Sequence, residues 1–246
     1  MTSLPLNGQT AVVAGGSSGI GRAVAQALNE AGAQVTIAGR SKERLAKAHD
    51  LLGPEVNTRA VDFSDEPAVA AFFEALSESG GQIDHLVVTV AGGAALGPFI
   101  EVPVTGVRET FEGKFWPYLI AMHHGAKVLK PGGTITLVTG ASAIAVVPTA
   151  ASLGAVNGAL EGMVKTLAVE LAPSRVNAVS PGLTDTEAWA RIPDDIRENM
   201  YAQSAADTPV GRIGQPEDVA NAVMACIQNG FLTGLVLPCD GGKRLV

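Results

Sequence analysis

AGGSSGIGRA, residues 14–23, is the stretch on which the fold of this chain turns. It follows a short apolar, β-rich run, Thr10–Ala14. It opens a segment, Gly19–Ala31, in which Val24, Ala27 and Leu28 share one helical face, with Gly32 as the expected C-cap. Glycines at 15, 19 and 21 give the spacing G-x-x-x-G-x-G. Gly15 permits a tight turn, Gly19 lets the backbone approach a pyrophosphate, and Gly21 lets the helix pack closely on the strand. The helix N-terminus offers free N–H groups and partial positive charge to phosphates. Ser17 and Ser18 add hydroxyl donors, and Ile20 completes the turn. A strand, a glycine turn and a helix in this order predict a dinucleotide-binding site.

Outward from that motif, strand and helix signals alternate. Val35–Ala38, Val56–Val61, Leu86–Val90, Thr134–Thr139, Val176–Val179 and Leu235–Leu237 read as strands. Ser41–Leu52, Asp65–Ser79, Thr105–Leu129, Ala150–Leu171 and Pro216–Gln228 read as helices. Ser41 is a fitting N-cap, Pro67 falls in a first turn where proline is tolerated, and Pro117 predicts a kink. PGG at Pro131–Gly133 is expected to stop the long helix. Repeated βα units predict an α/β, Rossmann-type, doubly wound parallel β-sheet flanked by helices on both faces, in one domain over residues 1–246. Pro181–Val210 departs from the alternation, with mixed helical signals and several prolines. Residues 183–210 are expected to form a lid over the ligand, with Trp189, Met200 and Tyr201 lining an apolar pocket.

Composition agrees with this architecture. Of 246 residues, 47% are apolar and 17% charged, the balance of a buried parallel sheet and not of a disordered chain. The net charge of −7 and the absence of a basic run argue against nucleic acid as a partner. The N-terminus has no signal-peptide pattern, and no run of eighteen apolar residues predicts a membrane span, so a cytoplasmic protein is expected. Cys226 and Cys239 lack a partner motif and read as reduced thiols. The four histidines have no zinc-binding spacing, so no metal is expected. His123 and His124 are adjacent on a helix and read as surface or interface positions.

AGRSKERL, residues 38–45, ends the second strand. An acidic residue here would hold a ribose 2′-hydroxyl. The sequence instead has Gly39, Arg40 and Ser41, so no carboxylate repels a 2′-phosphate and the Arg40 guanidinium can bind one in a fork. NADP(H) is therefore the expected cofactor, preferred over NAD(H).

With these residues, nearly the whole chain resembles the short-chain dehydrogenase/reductase family. Asp62 and Phe63 in VDFSD resemble the family's segment near the adenine. Ala91 and Gly92 fit the end of its NNAG motif, while Thr89 and Val90 replace both asparagines. RVNAVSPG at 175–182, with Pro181 and Gly182, and the stretch Thr184–Thr186 resemble the segment that meets the nicotinamide end. GRIGQPEDVA at 211–220 and TGLVLPCDGG at 233–242 resemble the family's C-terminal third, which implies a homo-oligomer, a dimer or tetramer. The resemblance implies an oxidoreductase that moves hydride to or from a small-molecule substrate.

The family's Asn–Ser–Tyr–Lys set is where the sequence departs. Counting along NGALEGMVKTLAVEL, residues 157–171, puts Asn157 at the lysine position, Leu153 at the tyrosine, Gly140 at the serine and Lys114 at the asparagine. There is no tyrosine between Tyr118 and Tyr201. Two readings stay open. In one, Lys114 brings a titratable group into the pocket, lowered in pKa by burial. Thr139 or Ser142 then supplies a hydroxyl, and Asn157 bonds the ribose. In the other, Lys114 is an ordinary helix lysine and the protein is a non-catalytic NADP(H)-binding sensor or structural subunit. Tyr118 reads as core or interface, and Phe115 and Trp116 read as core.

Overall fold

The computed structural model describes residues 5–78, 81–90 and 92–246. In chain order the elements are β1 (Thr10–Ala14), α1 (Gly19–Glu30), β2 (Gln34–Gly39), α2 (Lys42–Leu52), β3 (Asn57–Ala60), α3 (Glu66–Glu78) and β4 (Ile83–Val88). They continue as α4 (Val104–Lys127), β5 (Leu129–Val138), α5 (Ala151–Glu170), β6 (Arg175–Pro181), α6 (Asp194–Ala206), α7 (Pro216–Gln228) and β7 (Val236–Cys239). Over the described residues the strands form one seven-stranded sheet in the order β3-β2-β1-β4-β5-β6-β7, every neighbouring pair parallel. The order reverses between β1 and β4. Successive chain connections leave that point in opposite directions, which opens a crevice at the carboxyl ends of the two strands.

Strand pleating divides the core in two. Val12, Leu86, Leu137 and Val176 face Phe72, Phe73, Tyr118, Leu160 and Val164 of α3, α4 and α5. Val13, Val35, Ile37 and Val179 face Val24 and Leu28 of α1 and Val219, Val223 and Ile227 of α7. The central strands are apolar along their whole length because both faces are covered. The doubly wound sheet expected from the sequence is therefore present, with helices on both sides.

Several boundaries differ from the sequence reading. PGG at Pro131–Gly133 does not stop the long helix. That helix ends at Lys127, and the PGG lies inside β5. Leu129 pairs with Ile83 and Thr134 with His85, so the extra β5 residues form an irregularity on β4. Gly132, at φ 83°, makes that detour. The helix runs through Pro117, which is buried. The final strand begins at Val236 and reaches Cys239, beyond the Leu235–Leu237 run. Ser41 caps α2 as expected, its Oγ accepting from the Arg44 amide at 3.2 Å. Cys226 is buried and Cys239 half-buried, and both are free thiols. No helix among the described residues is long and apolar enough to cross a membrane.

His85 sits within β4 at 5% exposure, its ring bonded to the Thr134 hydroxyl at 2.8 Å and the Gln9 side chain at 2.5 Å. Burial pushes its pKa down from 6.5 to about 4. The fold holds the neutral ring while the unfolded chain takes up a proton, so stability is lost as pH falls from 6.5 through 4, by on the order of 3 kcal/mol in all. Urea midpoints at pH 7 and pH 5 should show this loss. His85→Gln, which cannot protonate, should flatten the slope.

Candidate active site

The β1–α1 turn is built as the glycine spacing predicts. Gly15 has φ 88°, and a Cβ there would stand 2.7 Å from Thr89 Oγ1. A Cβ at Gly21 would stand 2.2 Å from the Gly15 carbonyl oxygen. Only bare backbone lets the strand, the turn and the helix come this close. Ser18 is the N-cap residue of α1 in extended conformation, and its side chain makes no capping bond. The first turn of α1 contains no acidic residue. Gly15, Ser17, Ser18, Gly19, Ile20 and Gly21 thus surround a helix N-terminus whose amides lack a capping side chain of their own.

Beside this turn, Arg40 follows β2 and is exposed. Its neighbour Ser41 is occupied as the α2 cap. Asp62 Oδ1 accepts from the Ser64 amide at 3.0 Å and the Ser64 hydroxyl at 2.7 Å, and these bonds hold its carboxyl below the usual range, with a smaller contribution from Arg40. Phe63 is 3% exposed and its side chain packs in the core. Ala91 lies outside the described residues. Gly92 abuts α4 so closely that a Cβ would meet the Gly113 carbonyl at 2.4 Å, one residue before Lys114.

At the carboxyl ends of β5 and β6 lies a polar cluster inside an apolar frame. Lys114 Nζ donates to the Thr139 carbonyl at 2.8 Å. Thr139 Oγ1 donates to Glu161 Oε1 at 2.7 Å, and Ser180 Oγ donates to the same oxygen at 2.9 Å. Four elements, α4, β5, α5 and β6, are tied together through Glu161 and Thr139. Burial lowers the Lys114 pKa from 10.5 to about 8, and the Glu161 carboxylate opposes that shift. The ammonium therefore titrates near the physiological range, as a proton donor or acceptor must.

One turn along α5 from Glu161 is Asn157, 1% exposed, whose Nδ2 donates to Ser142 Oγ at 3.0 Å. Its Oδ1 is buried with no hydrogen-bond partner among the described residues. A side chain at Gly140 would meet Asn157 Nδ2 at 2.7 Å, so Asn157 fills the space that a residue larger than glycine at 140 would take. The expected residues Lys114, Thr139, Ser142 and Asn157 are thus gathered in one region. The Thr139 hydroxyl, however, is committed to Glu161 and is not free to act on a substrate. Tyr118 is core, as expected: its ring is 1% exposed and its hydroxyl donates to the Val138 carbonyl.

The segment after β6 returns to the β1–α1 turn. Gly182 packs against the Asp240 backbone. The Thr184 hydroxyl donates to the Gly182 carbonyl at 3.0 Å, and Trp189 Nε1 donates to the Thr184 carbonyl at 2.9 Å. Thr186 precedes a 3-10 turn, Glu187–Trp189, and α6 follows with no buried residue. Among the described residues, no three His, Cys, Asp or Glu side chains gather as they would around a metal ion.

Two residues escaped the sequence reading. Glu161 is a lone carboxylate beside the buried residues Asn157 and Leu160 of α5, a signal for a paired or working charge. Glu187 reaches back to α1 from far along the chain, and nothing in the local sequence signals that.

Comparison with known proteins agrees with this geometry. The chain matches the family model described as enoyl-(acyl carrier protein) reductase over residues 14–244. The short-chain dehydrogenase/reductase ATR9 of Stachybotrys chlorohalonatus is 31% identical, with 98% of each chain covered. A solved small-chain dehydrogenase in complex with NADPH superposes with a TM-score of 0.83 at 39% identity, over 97% of this chain and 99% of that one. An NADPH-bound short chain oxidoreductase from Pseudomonas aeruginosa PAO1, described as containing an atypical catalytic center, superposes with a TM-score of 0.86 at 29% identity, over 95% and 96% of the two chains. The glycine turn, the strand order and these full-length matches place the chain in the short-chain dehydrogenase/reductase family of oxidoreductases.

Proposed function

We propose that this protein is an NADP(H)-dependent oxidoreductase in which Lys114, and not a tyrosine on α5, handles the proton. The observation that carries the proposal is the placement of the Lys114 ammonium at the β5 strand end, 2.8 Å from the Thr139 carbonyl, with its pKa brought down to about 8. Leu153 and Asn157 stand where the family carries its tyrosine and lysine, so neither α5 position offers an acid. The NADPH-bound short chain oxidoreductase described as containing an atypical catalytic center lends support to a departure from the usual set within this fold.

The residues present suit a dinucleotide. The turn leaves no room for a Cβ at Gly15 or Gly21, the Ser18 side chain makes no cap to the α1 N-terminus, and the orphaned Asn157 Oδ1 is an acceptor suited to a ribose hydroxyl. Ser17, Ser18 and Ile20 would hold the pyrophosphate, Arg40 the 2′-phosphate, Asp62 and the Phe63 backbone the adenine end. Gly92, Pro181, Gly182, Thr184 and Thr186 would border the nicotinamide end. When bound, the cofactor supplies or accepts hydride. Lys114 then gives a proton to, or takes one from, the substrate heteroatom. Ser142 helps orient Asn157, and Glu161 pins Thr139 so that its carbonyl holds the ammonium. A small, largely apolar substrate is the expected partner, with residues 183–210, which carry Trp189, Met200 and Tyr201, as the lid.

A second reading, a non-catalytic NADP(H)-binding protein, draws on one observation. The Lys114 ammonium bonds a backbone carbonyl, as a purely structural lysine would. In either reading we infer a cytoplasmic protein that assembles with itself, supported by the resemblance of residues 211–220 and 233–242 to the family's C-terminal third.

Titration with NADPH and NADH tests the shared cofactor step. NADPH should bind about ten- to a hundredfold tighter than NADH, the worth of a forked guanidinium–phosphate contact. Arg40→Asp should abolish or reverse that preference. Equal affinities for the two cofactors would overturn the role given to Arg40.

A further inference from the structure

The N-terminus of α1 already faces an anion that belongs to the chain. Glu187 Oε2 accepts from the Gly19 amide at 2.8 Å, and Glu187 Oε1 pairs with Arg22 at 2.9 Å. The first turn of α1 has no acidic residue and the Ser18 side chain makes no capping bond, so among the described residues Glu187 is the carboxylate at this helix end. The carboxylate thus takes one N–H donor and one guanidinium at the point where helix dipole and backbone favour a phosphate. Thr186 packs on the same turn, within 3.1 Å of where a Gly19 Cβ would be.

The segment that carries Glu187 is anchored at its base and lightly held beyond it. Thr184 forms a β-bridge with Gly214, and the Asp185 amide donates to the Gly214 carbonyl at 2.9 Å. By contrast, neither the Glu187–Trp189 turn nor α6 has a buried residue. Segments with so little burial sit at the low-stability end of a structure and open first. The Glu187 contact is therefore a latch between the lid and the cofactor turn.

Resting on the cofactor reading above, we propose that Glu187 is a built-in competitor for the cofactor's pyrophosphate, so that cofactor binding expels its carboxylate from the α1 N-terminus and releases the lid. Arg22 changes partner in the exchange, from carboxylate to phosphate, and its charge stays compensated throughout. The cost is the loss of a half-exposed ion pair and one charge-assisted hydrogen bond, which is small enough for a dinucleotide to overcome.

Calorimetric titration of the wild type and Glu187→Gln with NADPH, inorganic pyrophosphate and adenosine 2′-monophosphate decides the matter. Glu187 is half-exposed at the surface, so the substitution leaves the core intact. The variant should bind NADPH and pyrophosphate about three- to tenfold tighter than the wild type. Adenosine 2′-monophosphate, which carries no pyrophosphate, should bind both proteins alike. Equal or weaker NADPH binding by the variant overturns the competition while leaving the cofactor reading in place. Tighter binding of all three probes also overturns it, because the effect would then be one of general charge. Failure of NADPH to bind either protein overturns the cofactor reading and this inference with it.

Discussion

Replacement of Lys114 by methionine is expected to lower turnover by about 10²- to 10⁴-fold, the usual worth of a positioned proton donor, and to leave NADPH affinity within about twofold. The ammonium is held on the β5 carbonyl of Thr139, apart from the β1–α1 turn that would bind the pyrophosphate. Methionine fills the space of the aliphatic stem without carrying a charge, so cofactor affinity and overall fold should survive. The pH profile sharpens the test. With the Lys114 pKa at about 8, the donor form dominates below that pH. Carbonyl or imine reduction should hold level on the acid side and fall as pH rises through about 8, while the reverse oxidation should rise there. Lys114→Arg separates charge from proton transfer. Arginine keeps the cation but does not deprotonate in this range, so a donor role predicts near-complete loss and a purely orienting role predicts partial retention. A screen of ketones, imines and enones for NADPH oxidation supplies the assay. If a substrate is found and Lys114→Met turns it over at the wild-type rate, the donor role is wrong.

Gly21→Ala should be among the most damaging single-methyl additions the protein can receive. The new Cβ would lie 2.2 Å from the Gly15 carbonyl oxygen, 2.6 Å from Thr89 Oγ1 and 2.9 Å from the Gly15 carbonyl carbon. The shortest contact is to the Gly15 backbone, which has no side-chain end that could swing away. Either the turn or α1 must shift, at a cost of about 3 kcal/mol or more. For a chain of this size that is a fall in Tm of about 6–12 °C. Because the displaced atoms are those of the phosphate-binding turn, NADPH affinity should fall in the same variant. Gly162→Ala is the control, since a Cβ there has open space around it on α5. Its helix propensity predicts a neutral or stabilising change of up to about 1 kcal/mol. A Gly21→Ala protein with wild-type Tm and cofactor affinity would refute the close approach on which the turn depends.

Tertiary position separates what these two variants probe. Gly21 was legible from spacing, because its constraint arises within one strand–turn–helix unit. Lys114 was legible only as a candidate. Its carbonyl partner is on another element, and the partner of that threonine's hydroxyl, Glu161, is on a third. Thr139 shows the limit most plainly. Its residue type and place at a strand end suggested a free catalytic hydroxyl, yet Glu161 accepts that proton and only the carbonyl remains for Lys114.

The α/β class, the parallel sheet, the tight glycine turn after β1 and the Ser41 helix cap could all be read from the amino-acid order alone. Each depends on residues a few positions apart, or on a hydrophobic period that repeats along one element, so local chemistry is enough. Only the tertiary structure decided how PGG is used, because Leu129 finds Ile83 on a neighbouring strand and draws Pro131–Gly133 into β5 before they can end a helix. It alone joined Lys114, Thr139, Glu161 and Ser180, and it alone set Glu187 on the Gly19 amide across 168 residues of chain. Such contacts depend on where separate elements pack, and that is decided by burying both faces of the sheet at once. Neither the residue type nor the local pattern around Glu187 carries that information.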